Sequence, residues 1–314
     1  MHEVGVIYLY RFAEGEHPVL RFLESYRRHP AGIDHDLFVV FKGFPDQANL
    51  AAGRALFSEI PFTSIELDDS GYDIGSYLRA AKIASNSRLI FLNTFSQIVG
   101  NNWLRCFDRA FKLNNVGLVG ATGSWQANTS SYEAALVNLM RYGWRSLEKR
   151  PKQSSTFFGY DGVGELNLFP GRERRPSVGD YFLAPFEYIR RFYEYGRFPN
   201  PHIRTNAFMI ERELFLSFNF PVFASKQDVY RFESGRKSLT RQVLAIGLKP
   251  VVVGRDGAVY EISEWMLSST FWTNEQDNLV IADNRTNDYA HAQQLFRRRL
   301  ECDAWIHPWS WTSR

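Results

Sequence analysis

Three short apolar runs divide the stretch 64–124: Ser64–Leu67, Arg88–Leu92 and Val116–Gly120. The segments between them carry apolar residues at helical spacing, so the pattern predicts a βαβαβ unit. In the middle run Leu89, Ile90, Phe91 and Leu92 follow one another without polar alternation, which predicts a strand covered on both faces. It runs into Asn93-Thr94-Phe95-Ser96, placing a polar cluster at the carboxyl end of a central strand. Open parallel sheets bind their ligands outside such ends.

The same pattern extends toward the N-terminus. Val4–Tyr10 predicts a strand, and Pro18 opens a helix to about Arg28 with Val19, Leu20, Phe22, Leu23 and Tyr26 on one broad face. Asp36–Lys42 is a second strand closed by Gly43, Pro45 and Asp46, Asn49–Phe57 a short helix, and Pro61 leads into Ser64–Leu67. The acidic turn Asp68-Asp69-Ser70-Gly71-Tyr72-Asp73-Ile74-Gly75 precedes a helix from Ser76 to about Ala84, and Trp103, Phe107 and Phe111 space out another. Strands joined by helical crossovers define an α/β fold class, a mostly parallel sheet flanked by helices.

Beyond Thr122 the periodicity weakens. An insertion over 125–200 is expected, with helices at Tyr132–Leu147 and near Phe186–Tyr195 and a long polar and aromatic loop at Ser154–Phe169. Regular structure resumes with a strand at Ile203–Ile210, a short helix at 211–217, a helix at Ser238–Ala245 stopped by Gly247, and a strand at Pro250–Gly254. The remainder, 259–314, is an aromatic C-terminal extension with one helix at about Asp288–Cys302 and the ending Trp305-Ile306-His307-Pro308-Trp309-Ser310-Trp311.

Composition changes this picture little. A chain of 314 residues that is 45% hydrophobic can bury one large core or two modest ones. Its formal charge of +3 is too small to argue for nucleic acid. The clusters Arg172-Glu173-Arg174-Arg175 and Arg297-Arg298-Arg299 read first as solvated faces, and otherwise as contacts to phosphates or an anionic membrane surface. Cys106 and Cys302 have no partners at metal-ligand spacing, and no apolar run reaches about 18 residues. The expected location is the cytoplasm, with the inner face of the membrane as an alternative.

Three patterns in order along the chain carry a resemblance. They are Gly71-Tyr72-Asp73-Ile74-Gly75 before a helix, Phe91–Ser96 followed by Trp103-Leu104 and Val116–Gly120, and Glu233 eight residues before Arg241 with Gly247 beyond. Together they resemble family-2-type glycosyltransferases of the GT-A fold, nearest to the rhamnan-synthesis proteins of bacterial polysaccharide assembly. The resemblance covers roughly residues 4–124 and 203–256. It implies a Rossmann-like sheet in which 1–124 is the nucleotide-sugar-binding half and 201–258 the acceptor-side half of the same domain. It also implies a hexosyltransferase-like enzyme moving a sugar from a nucleotide sugar to a glycan or lipid-linked acceptor, with inversion.

One departure bears on cofactors. The family places Asp-x-Asp at the end of the fourth strand to hold a divalent cation, whereas this chain has Asn93-Thr94-Phe95. Mg²⁺ or Mn²⁺ would be poorly held there, since hard cations want anionic oxygen. Loss of that motif also fits a non-catalytic glycan- or nucleotide-binding module. A nucleotidyltransferase would need a Gly-rich basic loop, for which Arg11–Gly15 is a poor candidate.

Candidate residues follow. Glu233 is the expected general base, with Asp228 in reserve, because inversion needs a carboxylate to take the acceptor hydroxyl's proton. Its alternative reading is a helix-start carboxylate meeting the macrodipole. Asp73, framed by Gly71 and Gly75, is expected at the donor with Asn93 and Ser96; Asp69 reads either as donor contact or as a turn residue, like Asp68. His202, Arg204, Thr205 and Asn206 form a polar patch expected at the acceptor, Arg204 either offsetting diphosphate charge through its bidentate fork or sitting in a surface salt bridge; Arg241, with Arg236 and Lys237, reads as a further phosphate contact or as a solvated helix face. In the extension Trp265, Phe271, Trp272, Gln276, Asp277, Asn278, Asp283 and Asn284 suit either a core or sugar faces.

Overall fold

The computed structural model describes residues 2–129, 186 and 189–306. The expected helix Tyr132–Leu147, the loop Ser154–Phe169, the Arg172–Arg175 cluster and His307–Trp311 lie outside them. The described residues divide between two compact units, one within Met1–Ser124 and Pro201–Leu300 and the other within Trp125–Asn200 and Glu301–Arg314. In the smaller unit residues 189–195 are helical and the ring of Trp125 meets that of Trp305 edge-on at 5.4 Å. No helix among the described residues is long and apolar enough to cross a membrane.

The larger unit begins β1 (Val4–Arg11), α1 (His17–Arg28), β2 (Asp36–Lys42), α2 (Gln47–Ala55), β3 (Thr63–Leu67), α3 (Tyr72–Ile83), β4 (Arg88–Leu92), β5 (Gln97–Ile98), α4 (Trp103–Phe111), β6 (Val116–Gly120) and β7 (Gly123–Ser124). It continues with β8 (His202–Ile203), β9 (Ala207–Glu211), α5 (Arg212–Ser217), α6 (Lys226–Ser234), α7 (Leu239–Ala245), β10 (Lys249–Val253), β11 (Val259–Tyr260), β12 (Ile281–Ala282) and α8 (Asn284–Ala290). Eight strands form one sheet in the order β11-β10-β6-β9-β4-β1-β2-β3. Only β9 and β11 run antiparallel to their neighbours. The α/β class with a mostly parallel sheet is therefore observed.

Strand alternation assigns the two faces. Val6, Tyr8 and Tyr10 of β1, Ile90 and Leu92 of β4, and Met209 of β9 join Phe22 and Leu23 of α1 and Trp103, Leu104 and Phe107 of α4 in one core. Tyr8 stacks on Phe22 with ring centroids 3.7 Å apart. On the opposite face Phe91 meets Tyr77 of α3 at 4.9 Å and Phe215 of α5 at 4.8 Å. Burial on both sides explains the unbroken apolar run in β4.

Four expectations are corrected. Helix α3 starts at Tyr72 and not Ser76, because Gly71 (φ 75°) and Tyr72 (φ 52°) turn the chain early, leaving Asp73 and Gly75 within the helix. The expected strand Ile203–Ile210 breaks into β8 and β9 where the Thr205 amide donates to a Glu233 carboxylate oxygen instead of to a strand. Glu233 lies in the last turn of α6, a helix absent from the sequence reading, so its macrodipole reading fails: this is the negative end. The single tail helix is two, Asn284–Ala290 and Gln294–Trp305, because an Asp283–Thr286 capping box starts the first one early.

Candidate functional site

Strand β1 has β2 on one side and β4 on the other, and the order runs outward from both, so a crevice opens at the carboxyl ends of β1 and β4. Sequence position alone brings Arg11, Lys42, Asp69 and Asn93 to that edge, each at or just past the end of its strand. Because β9 is antiparallel, its amino end reaches the same edge and adds Arg204, Thr205 and Asn206. The Asn93 amide donates to the Asn206 carbonyl at 3.1 Å, which fixes the two loops side by side.

One flank of the crevice is built on α3. Arg11 clasps Asp69 through Nε and Nη2, both at 2.7 Å, and reaches Glu14 at 2.9 Å. That fork holds the Asp69 carboxyl below its ordinary range, so Asp69 serves Arg11 first. Lys42, only 1% exposed, donates from Nζ to the Tyr72 carbonyl at 2.6 Å, and Ser76 Oγ donates to the same oxygen at 2.9 Å. A non-glycine residue at φ 52° is strained, and these two donors hold it. Tyr72 remains 40% exposed at the rim, and Asp73 beside it is partly exposed. Burial pushes the Asp73 carboxyl up; Lys42 and Arg11 oppose this, while Glu14 and Glu233 add to it.

The other flank carries Glu233. Its Oε1 accepts from the Thr205 amide at 2.9 Å and from Thr205 Oγ1 at 3.2 Å. Burial pushes this carboxyl up, but Arg204, His202 and the Thr205 bonds outweigh it and hold the group ionised below its ordinary range. Tyr77, wholly buried on α3 between the flanks, has its phenol pushed up by burial and further by Asp73, Tyr8 and Glu233, and its hydroxyl has no hydrogen-bond partner among the described residues. Arg204 lays its guanidinium over Phe271 at 4.6 Å, and Phe271 stacks on Trp272 at 4.4 Å. Asn206 accepts from Thr122 Oγ1 at 3.1 Å.

Asp73, Asn93, Glu233, Arg204 and Asn206 thus share one edge of the sheet. Other expected residues are engaged locally. Asn93 Oδ1 turns back to accept from the Phe95 amide at 3.0 Å and from Ser96 Oγ at 3.1 Å, an Asx turn. Asp228 forms a capping box with Ser225 at the far end of α6 from Glu233. His202 is buried in β8, and Arg241 is exposed on α7 behind its Ser238 N-cap. Gly71 needs its left-handed φ, whereas a Cβ on Gly75 would make only ordinary contact with Phe223 at 3.7 Å. Trp265, Phe271 and Trp272 are core residues. Missed from sequence were Lys42, Tyr72 and Tyr77; only the strand end at Lys42 offered a signal.

These donors do not fit a divalent cation. No group of three or more His, Cys, Asp or Glu side chains among the described residues could hold one. The β4 edge has no carboxylate, Asn93 Oδ1 is already bonded twice, and Asp69 is taken by Arg11.

No protein-family model matches the chain, and no curated protein matches it. Among solved structures it is similar to the mannosyltransferase PcManGT from Pyrobaculum calidifontis in complex with GDP-Man and Mn²⁺, at 11% identity and a TM-score of 0.42 over 83% of this chain and 56% of that one. It is also similar to S. aureus TarS 1-349 in complex with UDP-GlcNAc, at 16% identity and a TM-score of 0.31 over 38% of this chain and 34% of that one. The chain spans little more than half the length of the mannosyltransferase and about a third of that TarS fragment.

Proposed function

We propose that this protein is a glycosyltransferase of the GT-A type that moves a sugar from a nucleotide sugar to a glycan or lipid-linked acceptor in polysaccharide assembly, with inversion. The observation that carries the reading is that Asp73, on α3, and Glu233, on α6, lie within electrostatic reach of each other at the carboxyl edge of a doubly wound sheet. Asp73 and the Tyr72 rim face the nucleoside. Glu233, held ionised, takes the proton of the acceptor hydroxyl as that oxygen attacks the anomeric carbon from the face opposite the leaving nucleotide. Thr205 orients the carboxylate and keeps one oxygen occupied, so the other meets the acceptor.

The test is to incubate the full chain with a panel of nucleotide sugars and follow release of the nucleoside diphosphate, with and without glycan acceptors. Release that is lost in Glu233→Gln supports the reading. Absence of binding and turnover for every donor would refute it. The missing carboxylates at the β4 edge favour a second reading, a non-catalytic glycan- or nucleotide-binding module. It requires glycan or nucleotide binding that Glu233→Gln leaves intact, with no nucleotide release.

A further inference from the structure

The guanidinium of Arg204 stands out among the charged groups of the crevice. Its Nε is buried without a hydrogen-bond partner, and its terminal nitrogens have none among the described residues. Stacking on Phe271 at 4.6 Å, itself backed by Trp272, holds the plane in place but satisfies no N–H. Two residues on, Asn206 is 6% exposed, and its Nδ2 is likewise buried with no partner among the described residues, although its oxygen is bonded to Thr122. Buried donors without acceptors are uncommon, because each costs the desolvation of a polar group. Two such donors on one loop beside the crevice, one of them on a cation within electrostatic reach of a Glu233 carboxylate already bonded to Thr205, call for an oxygen-rich ligand.

We propose that Arg204, with the Asn206 amide behind it, takes up the negative charge of the departing diphosphate, so that donor binding and transfer proceed without a divalent cation. This rests on the sugar-transfer reading. In the step, the acceptor oxygen bonds to the anomeric carbon while the bond from that carbon to the terminal phosphate oxygen breaks. The electron pair leaves with the nucleoside diphosphate, Glu233 receives the acceptor proton, and the guanidinium faces the new phosphate charge. A planar fork fixed on an aromatic ring suits a phosphate bidentately without reorganisation. The β4 edge, lacking carboxylates, leaves that charge to the protein's own cation.

Calorimetric titration of the full chain with UDP, GDP, uridine and guanosine, each in EDTA and in Mn²⁺, tests this. The parent should bind one nucleoside diphosphate in EDTA within about twofold of its affinity in Mn²⁺. Arg204→Gln should weaken that diphosphate about tenfold or more while binding the matching nucleoside as the parent does, which also shows that the variant is folded; Arg204→Lys should fall between. A tenfold or greater loss in EDTA, or equal weakening of nucleoside and diphosphate in Arg204→Gln, or no weakening, would overturn the proposal. If the parent releases nucleotide from a sugar donor only in Mn²⁺, this inference fails alone. If the parent binds no nucleotide in either condition, the sugar-transfer reading fails with it.

Discussion

Glu233 occupies the last turn of α6, where the helix dipole disfavours a carboxylate, yet Thr205, Arg204 and His202 keep it ionised. Two predictions belong to this residue. Glu233→Gln should lower kcat by about 10²–10⁴ while nucleotide affinity stays within about twofold, since the base acts only on the acceptor. Thr205→Val removes one of two donors to the carboxylate and so disfavours its charged form. The acid limb of the pH–rate profile, expected in the parent below the ordinary glutamate value of 4.5, should then move upward; an unmoved limb would show that Thr205 does not tune the base.

Asp73 shifts in the opposite direction, with the opposite consequence. A carboxyl whose folded pKa is raised contributes stability below its unfolded pKa that is lost as pH climbs through the folded value. Asp73→Asn should therefore raise the melting temperature at neutral pH, on the order of 2 °C, while weakening nucleotide binding. A lower melting temperature would mean that its attraction to Lys42 and Arg11 outweighs its burial.

At the scale of elements, α3 and its entry turn decide the site. Gly71 is left-handed, and a Cβ there would lie 3.3 Å from Gly75 Cα, so Gly71→Ala should cost about 1–2 kcal/mol in urea unfolding. Phe91→Ala, which empties the aromatic contact of β4 with Tyr77 and Phe215, should cost about 3–5 kcal/mol.

The elements differ in how far the sequence announced them. Strands β1, β2, β4 and β6 were legible because each buries consecutive apolar residues, a pattern independent of distant partners. Helix α6 was not: KQDVYRFES is mostly polar, buries only Phe232 and Ser234, and is started by a capping box. Asp73 was singled out by the glycines around it, of which Gly71 alone takes a left-handed φ. The burial of Lys42 did not, since a lysine ending a strand ordinarily reaches water, and only α3 folding over it encloses the ammonium group. Likewise nothing local in Arg204-Thr205-Asn206 shows that a glutamate on another helix binds its middle amide.

For the molecule as a whole, the switch in strand order sets where chemistry can occur, and the antiparallel β9 sets what arrives there. A parallel strand in that place would carry the Arg204 loop to the opposite edge of the sheet. The reversal brings a cation, a buried amide and the carboxylate's anchor to the carboxyl ends of β1 and β4. The most direct measurement is a crystal structure of the full chain with a bound nucleoside diphosphate. The account predicts the nucleoside against Asp73 and Tyr72, the diphosphate within hydrogen-bond reach of Arg204, and Glu233 on the far side of the terminal phosphate. A nucleotide seated away from the carboxyl edge of the sheet, or with Asp73 and Glu233 both beyond its reach, would contradict it.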